Sequence, residues 1–412
     1  MDRRRVVVTG VGTVNPTGND TEKSWANIRA GVHGITPVTR FDTKDYKFRV
    51  AGEVKDFAPQ TRIDRKTLRH TGLFAQYALY AAAEAVESAG LDTGKPDDRT
   101  GVIVSSGIGG LIPIEENHIR GEERGYDRVS PFFIPMAISN MAAANIAIRY
   151  GFRGMCTCPV TACAGGSSAI GDAFHRIRDG YEDVMICGGA EAAITPLAMG
   201  GFSVMEALTS EADPDRASVP FDAERSGFVM GEGAGILVLE ELEHARARKA
   251  EILAEITGYG ANCDAYHITA PSPDGAGAAA CMRLALKDSG IQPDDIDYIN
   301  AHGTLTHLND SLETTAVKAV FGADKAYKLP VSSTKSMTGH MLGAAGAVEA
   351  VFCVMALRDQ FIPPTAGYRT PDPACDLDYV TEGGRSADLR YVMSDNLGFG
   401  GHNAVLVFQR AE

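Results

Sequence analysis

In residues 161–174, TACAGGSSAIGDAF, Cys163 precedes a run of very small residues. The preceding CTCPVT predicts a short buried strand, and the spacing of Ile170, Phe174 and Ile177 predicts a helix. Cys163 is therefore expected at a strand-to-helix turn. Because a helix start stabilises a thiolate, we expect a lowered pKa and a nucleophilic sulfur. The stretch alone leaves open a buried cysteine that packs as a small apolar side chain.

The same order of elements occurs twice along the chain. The matched segments are RRVVVTGVGTV with EILAEITGYGANC, LFAQYALYAAAEAVESAGL with GAAACMRLALKDSGI, DDRTGVIVSSGIGG with PDDIDYINAHGTLT, CTCPVTACAGGSSAIGDAFHRI with KLPVSSTKSMTGHMLGAAGAVEAVFCVM, and VMICGGAEAA with YVMSDNLGFGG. A duplicated α/β unit is the simplest interpretation, and two such units packed together predict a five-layered α/β/α/β/α body. The charged segment LEELEHARARKAE separates the copies, so we predict one half at 1–250 and the other at 251–412.

Composition restricts the function. The 412 residues carry a formal net charge of −14, which argues against nucleic acids and anionic membrane surfaces as partners. The eight cysteines show no disulfide or metal-site spacing, and the start MDRRRVVVTGVG holds no signal-peptide core. We therefore expect reduced thiols, no metal site of cysteine and histidine, and a cytoplasmic location.

The duplication places polar residues of the second half near Cys163. Lys335 and His340 lie in STKSMTGHMLGAAG, the counterpart of the cysteine segment, and His302 follows a predicted strand in NAHGTLTHLND. Open α/β sheets build sites at such strand ends, although each histidine alone would more often be structural. A neutral histidine at a helix start can donate a hydrogen bond, as we expect for His340. Glu349 lies in an apolar helix and needs a partner, for which Lys335 is the available cation.

Four long motifs of the chain resemble those of a known enzyme family. TACAGGSSAIGDAF, NAHGTLTHLND, VSSTKSMTGHMLGAAGAVEA and GFGGHNAVLVF, in this order, are similar to the motifs of the β-ketoacyl-[acyl-carrier-protein] synthases of thiolase-like fold. The similarity runs essentially end to end. It is greatest to the synthase II class, which elongates acyl chains in bacterial type II fatty acid synthesis.

The resemblance implies a decarboxylative Claisen condensation. Cys163 would accept an acyl chain as a thioester, and His302 and His340 would stabilise the enolate that malonyl-[acyl-carrier-protein] forms on losing CO2. The backbone N–H groups of Cys163 and Phe399 would hold the acyl oxyanion. Lys335 and Glu349 would form an organising ion pair among the catalytic residues.

Further roles are implied by the same resemblance. Thr304 and Thr306 would bind the pantetheine arm, and Ile108 and Phe202 would line the acyl channel, with Phe399 as its gate. No cofactor of the enzyme's own is expected, because phosphopantetheine is carried by the partner, the acyl carrier protein. A structural monovalent cation is the one addition considered, with ligands from Asn300, Glu349, Ser394 and Asn403.

Two features near the His302 motif go beyond the resemblance: one departs from the family's usual residues, and the other predicts a helix start. Leu305 and His307 replace the family's usual small residue and proline, which predicts a looser turn near the pantetheine. Asp310 and Glu313 have the spacing of a capping box that would begin the next helix.

A basic cluster stands against the acidic composition, namely Arg62, Arg65, Lys66 and Arg69 in TRIDRKTLRH. Such a run is usually a solvated helix face, but it also fits docking of an acidic carrier protein. We expect a homodimer as well, because the segments near 140–170 are rich in glycine and alanine.

The same residues bear on several other functions. A catalytic ketosynthase subunit of a type II polyketide synthase stays open, while Cys163 argues against a non-catalytic chain-length-factor-like partner. NLGFGGHN lacks the second cysteine of thiolases, and synthase III relatives use a His and Asn pair instead of two histidines. The glycines of TGVGTVNPTG and GEGAG lack the spacing of a dinucleotide site.

Overall fold

A computed structural model describes residues 3–411 of the chain. Its strands are β1 Val6–Val14, β2 Thr36–Pro37, β3 Val50–Ala51, β4 Thr100–Ser105, β5 Cys156–Thr157, β6 Val184–Glu191, β7 Gly233–Glu241, β8 Ala254–Cys263, β9 Tyr298–Asn300, β10 Val331–Ser332, β11 Phe361–Ile362, β12 Arg385–Ser386, β13 Tyr391–Gly398 and β14 His402–Arg410. Its α-helices are α1 Thr21–Arg29, α2 Arg65–His70, α3 Leu73–Ala89, α4 Leu111–Arg124, α5 Phe133–Ala137, α6 Met141–Tyr150, α7 Gly165–Arg178, α8 Pro196–Val204, α9 Pro214–Ala217, α10 Leu242–Ala247, α11 Ala276–Ser289, α12 His307–Ala326, α13 Lys335–Thr338 and α14 Ala345–Asp359.

The main sheet is a mirror-ordered pair of halves. Its strand order is β10-β9-β13-β14-β8-β1-β7-β6-β4-β5, so the first half runs outward from β1 as β7, β6, β4, β5. The second half runs outward from β8 as β14, β13, β9, β10. β1 and β8 join the halves through a short antiparallel pairing between Val6–Val8 and Ala254–Ile256. Every strand matched in the sequence therefore occupies the equivalent place in the other half.

The helices complete five layers. α7 and α14 pack against each other and against strands of both halves, while α3 and α6 cover the outer face of the first half and α11 and α12 that of the second. The central pair is dense because small residues let backbones touch: a Cβ added at Gly166 would lie 2.6 Å from the Ala347 nitrogen. This arrangement confirms the predicted thiolase-like α/β/α/β/α fold.

Two short 3-10 turns begin the central helices. The Cys163 turn, Ala162–Ala164, leads into α7, and the Gly343 turn, Leu342–Ala344, leads into α14. Both open on a residue with positive φ, +50° at Ala162 and +47° at Leu342. Such φ values are uncommon without glycine, so their repetition marks the two turns as counterparts.

The strand predicted ahead of Cys163 is shorter and less buried than expected. β5 holds only two residues at the outer edge of the sheet, where Cys156 is exposed. The segment CTCPVT predicts a buried strand. Because β5 is an edge strand with a neighbour on one side only, its residues stay partly exposed instead.

None of the α-helices between residues 3 and 411 is long and apolar enough to cross a membrane.

Candidate active site

Cys163 lies where the two halves meet. Its turn follows β5 and precedes α7, and the side chain is 9% exposed within an apolar cluster. The strand-to-helix placement is thus as predicted. The end of β13 approaches the same turn, because a Cβ added at Gly398 would lie 2.9 Å from the Thr161 carbonyl oxygen and 3.1 Å from the Cys163 nitrogen. Only glycine permits this approach.

The predicted lowering of the Cys163 pKa is wrong for the free protein. Burial raises the pKa of this thiol to about 11, although the positive charge of Lys335 and a hydrogen bond from the Phe399 backbone act in the opposite direction. Desolvation of the charged sulfur therefore outweighs the helix start. The sulfur is a thiol near neutral pH, already in contact with the Phe399 N–H.

His302 and His340 face each other beside Cys163. His302 follows β9 and His340 follows α13, and their ring centroids are 5.5 Å apart with perpendicular planes. Burial lowers the pKa of both rings well below the usual value, and the charge of Lys335 lowers it further. Both imidazoles are therefore neutral near pH 7, and each offers one N–H donor.

The His302 loop is held by a buried carboxylate. Glu313 accepts hydrogen bonds from the backbone N–H groups of His302 at 2.7 Å and Gly303 at 2.8 Å. Glu313 lies in the second turn of α12, which begins at His307 with Thr306 as its N-cap. The capping box assigned to Asp310 and Glu313 is therefore wrong, since the helix begins earlier.

A chain of buried polar groups connects α14 to His302. Lys335 forms an ion pair with Glu349 through Oε1, as predicted from the burial of Glu349. The other oxygen of Glu349 accepts from Asn396 at 2.7 Å, and the same Asn396 nitrogen lies 3.4 Å from Nδ1 of His302. Ser167 donates to the Asn396 oxygen at 2.5 Å.

Sequence reasoning missed Asn396 and Ser167. The signal for Asn396 was a polar SDN run at the end of an apolar strand, beside the glycines of LGFGG. Ser167 gave no signal, because its neighbours in GGSSA suggest only small size.

A cavity opens over these groups. It has an empty volume of about 600 Å³, including its mouth, and is lined by Cys163, His302, His340, Phe399 and neighbouring residues. The two histidines, the thiol and the Phe399 backbone therefore surround one space that admits a small reacting group.

The comparisons agree with this geometry. Residues 3–245 match the N-terminal domain of beta-ketoacyl synthase, and residues 253–369 match its C-terminal domain. The chain belongs to the beta-ketoacyl synthase family. Members are acyltransferase-type condensing enzymes, and this chain is one of them.

Individual relatives are similar over the full length. The chain is 50% identical over 410 residues to 3-oxoacyl-[acyl-carrier-protein] synthase 2 of Staphylococcus aureus (strain COL), covering 99% of both chains. It is 49% identical over 412 residues to the protein of that name from Synechocystis sp., covering 100% of this chain and 99% of the relative. A solved structure of a type II PKS acyl-carrier protein in complex with its ketosynthase bound to the hexaketide has a TM-score of 0.92 and 37% identity, with full coverage of both chains.

The residues assigned to substrate in this beta-ketoacyl synthase are only partly gathered in the cavity. Thr304, Thr306 and Phe202 line it, whereas Ile108 does not. Ile108 packs instead into the apolar cluster that includes Cys163 and Phe202. The Phe399 ring lies 6.3 Å from the Phe202 ring, between centroids, which places Phe399 at the aromatic wall.

The departures near the pantetheine position have visible consequences. Leu305 is buried with φ +69°, held by a hydrogen bond from its N–H to Asp310 at 3.2 Å. His307 begins α12 and is exposed. Asp310 thus anchors the turn that the missing proline was expected to loosen.

The oxygen ligands proposed for a cation fit only in part. Asn300 is fully buried, has no hydrogen-bond partner for its side-chain amide among the described residues, and pairs in register with Ser394. Asn403, however, donates to Asn262 and Asp264 at 2.9 Å and 2.7 Å and lies near the cavity mouth. Both Glu349 oxygens are already engaged. We therefore derive no catalytic step through a cation.

The basic cluster divides into two parts. Arg65, Lys66 and Arg69 lie on α2 with exposed side chains. Arg62 is half-buried, stacks over the Tyr80 ring at 4.8 Å and lies 3.6 Å from the Glu84 carboxylate. Arg62 therefore has a structural role in addition to any part in docking.

Proposed function

We propose that the protein is a β-ketoacyl-[acyl-carrier-protein] synthase of the elongating type, which condenses an acyl-enzyme thioester with malonyl-[acyl-carrier-protein]. The observation that carries this proposal is the common cavity of Cys163, His302 and His340 with the Phe399 N–H on the sulfur. One nucleophile and two neutral donors are what a decarboxylative condensation requires.

The first step is acyl transfer to Cys163. Its sulfur attacks the carbonyl of the acyl thioester on the carrier, and the carrier's pantetheine thiol leaves with the proton that the cysteine gives up. Because the pKa of Cys163 is about 11, the proton departs as the carbon–sulfur bond forms, and a neutral imidazole can pass it on. The N–H groups of Cys163 and Phe399 receive the oxyanion.

The second step forms the carbon–carbon bond. Malonyl carrier protein loses CO2, and the electron pair of the broken bond becomes an enolate whose oxygen accepts hydrogen bonds from His302 and His340. The enolate carbon then attacks the acyl thioester, Cys163 leaves as the thiolate and is reprotonated, and the β-ketoacyl chain stays on the carrier. Lys335, Glu349 and Asn396 position His302 during both steps.

The pathway proposed is fatty acid elongation. Support comes from the identity of about half to relatives named 3-oxoacyl-[acyl-carrier-protein] synthase 2, against 37% to the polyketide ketosynthase. A catalytic polyketide ketosynthase remains the second candidate because that structure is similar over its whole length. We place the enzyme in the cytoplasm, with which the eight free cysteines agree.

The assembly is proposed from surface features. The exposed cations of α2 fit docking of an acidic carrier protein, and the exposed apolar side chains between 119 and 160 fit a homodimer. Division of each subunit at residue 250 is supported by the family matches, which end at 245 and resume at 253.

The test separates the two half-reactions. We expect Cys163→Ala to abolish condensation yet retain decarboxylation of malonyl carrier protein, measured as CO2 release. His302→Ala and His340→Ala should each depress decarboxylation by about 100-fold or more, because each removes one donor to the enolate oxygen.

The matched control is His175→Ala, since His175 lies on α7 but pairs with Asp288 at a distance from the cavity lining. Its decarboxylation rate should stay near that of the wild type. Condensation by the Cys163→Ala protein, or normal decarboxylation by either cavity histidine variant, would overturn the assigned roles.

A further inference from the structure

Glu191 is a fully buried carboxylate at the end of β6 that the mechanism above does not use. Its oxygens accept four hydrogen bonds: from the Ser106 hydroxyl at 3.0 Å and from the backbone N–H groups of Gly107 at 2.8 Å, Ile108 at 3.2 Å and Gly343 at 3.1 Å. No cationic side chain is among these partners. A buried carboxylate held only by neutral donors is expensive to desolvate, so a compensating role is expected.

The duplicated fold relates Glu191 to a residue at the equivalent place in the second half. β6 and β13 have eight residues each, so Glu191 at the end of β6 corresponds to Gly398 at the end of β13. Likewise, Gly343 in the second turn corresponds to Cys163 in the first. Where Gly398 leaves room over the Cys163 turn, the Glu191 carboxylate lies over the Gly343 turn and accepts its N–H.

The two segments that Glu191 holds adjoin the apolar cluster around Cys163. Ile108 and Leu342 pack in the apolar cluster that surrounds Cys163, and Leu342 also lines the cavity. Ile108 comes from the first half and Leu342 from the second, and each lies in a segment whose backbone donates to Glu191. One carboxylate thus ties the Leu342 segment, which lines the cavity, to the Ile108 segment of the other half, which packs in the same apolar cluster.

We propose that Glu191 is a positioning residue for the acyl channel: its carboxylate occupies, in the second half, the place that the acyl oxyanion takes beside Cys163 in the first, and so fixes Ile108 and Leu342. The duplicated oxyanion site is filled by a resident anion and serves as a rigid channel wall. The identity of the oxyanion rests on the proposed function, whereas the link between Glu191 and the shape of the channel does not.

Glu191→Gln tests the link. The variant keeps the size of the side chain but presents an NH2 group to backbone donors, which releases the Gly343 turn or the 107–108 segment. The readout is alkylation of Cys163 by iodoacetamide and by its N-dodecyl derivative, followed by mass spectrometry. We expect the rate ratio of the long to the short probe to rise by about fivefold or more, since freed walls admit the longer chain.

A ratio of two probes is needed because Glu191 also acts on the sulfur. Burial is the main cause of the raised pKa of Cys163, and Lys335 and the Phe399 backbone oppose it. The negative charge of Glu191 is a smaller effect that raises the same pKa further. Removal of that charge changes both alkylation rates equally and cancels in the ratio.

Two variants complete the experiment. Glu84→Gln is the matched control, since Glu84 also accepts backbone N–H groups, from Thr13 and Thr21, but lies in the outer layer of the first half. Its probe ratio should equal that of the wild type. Ser106→Ala removes one donor and keeps the carboxylate, so it should shift the ratio in the same direction by less.

The outcomes are separable. A Glu191→Gln protein whose ratio is unchanged or falls would overturn the proposal, as would a shift equal to that of Glu84→Gln. If Glu191→Gln does not fold, an unchanged ratio in Ser106→Ala would overturn it instead. Failure of the wild type to decarboxylate malonyl carrier protein would refute the proposed function and leave the probe ratio valid.

Discussion

Among single residues, Cys163 combines its proposed nucleophilic role with a pKa raised to about 11. Burial disfavours a permanently ionised thiolate, and the charge of Lys335, which is paired with Glu349, offsets this only in part. The neighbouring Phe399 N–H and the neutral histidines instead offer partners to charge that develops during the reaction. The site is therefore arranged to stabilise the transition state more than the free thiolate.

Alkylation of Cys163 should follow this raised pKa. The thiol is neutral when protonated, so a raised pKa leaves less thiolate at neutral pH and moves the rise in rate toward alkaline pH. We expect the iodoacetamide rate at Cys163 to increase about tenfold per pH unit and to level off only near 11. Peptide mass spectrometry measures this rate, and a plateau below pH 8 would support a lowered pKa instead.

At the scale of elements, α14 is the least ordinary helix. All residues from Ala345 to Leu357 are buried, and Glu349 lies among them. Such a helix can carry a carboxylate only because α13 brings Lys335 and β13 brings Asn396 to it. The ion pair therefore ties three elements around His302, in a position where removal of one charge is costly.

A double-mutant comparison measures that cost. Lys335→Met should lower the free energy of unfolding by about 3–5 kcal/mol, because Glu349 is left buried without its cation. The double variant with Lys335→Met and Glu349→Leu should recover a large part of this loss. Urea denaturation gives both values, and a double variant no more stable than the single one would show that the loss does not come from the unpaired Glu349 carboxylate.

At the scale of the whole molecule, the sequence predicted the duplicated fold because matched motifs recur in one order, and the mirrored strand order follows from that. It also predicted the partners Cys163, His302 and His340, since strand ends of duplicated units meet. It could not predict Asn396 or Glu191, because their partners come from distant segments and many are backbone groups. The pKa of Cys163 was missed for a related reason: burial depends on all neighbours, whereas the helix start is local.

The proposed homodimer makes a prediction about the surface between residues 119 and 160. Its exposed apolar side chains are Ile119, Tyr126, Phe132, Ile134, Ile138, Ile148, Met155 and Val160. Met155 and Val160 flank β5, the strand at the edge of the sheet. Because a monomer rarely leaves large contiguous apolar surface in water, we expect a partner subunit to cover these side chains. Ile148→Glu combined with Val160→Glu should therefore shift a dimer to monomer in light scattering at micromolar concentration.

Leu284→Glu is the control for that experiment, since Leu284 is exposed on α11 in the second half. It should leave the molar mass unchanged. A wild-type protein that is monomeric at micromolar concentration would refute the dimer.

Carrier docking is the prediction that depends on the molecule's overall charge. The protein carries −14 and its proposed carrier is acidic, so a productive encounter needs a local patch of opposite sign. Arg65 and Arg69 are exposed on α2 and have no ion pair among residues 3–411, which leaves their charge available. Arg65→Glu with Arg69→Glu should raise the KM for carrier-bound substrate by about tenfold at low salt and by less at high salt, because salt screens exposed charges. A short acyl-pantetheine thioester should be turned over normally by this variant, and Arg246→Glu on α10 should leave both substrates unaffected. Equal losses with both substrates would place the effect in folding, and an unchanged KM for the carrier-bound substrate would remove α2 from the docking surface.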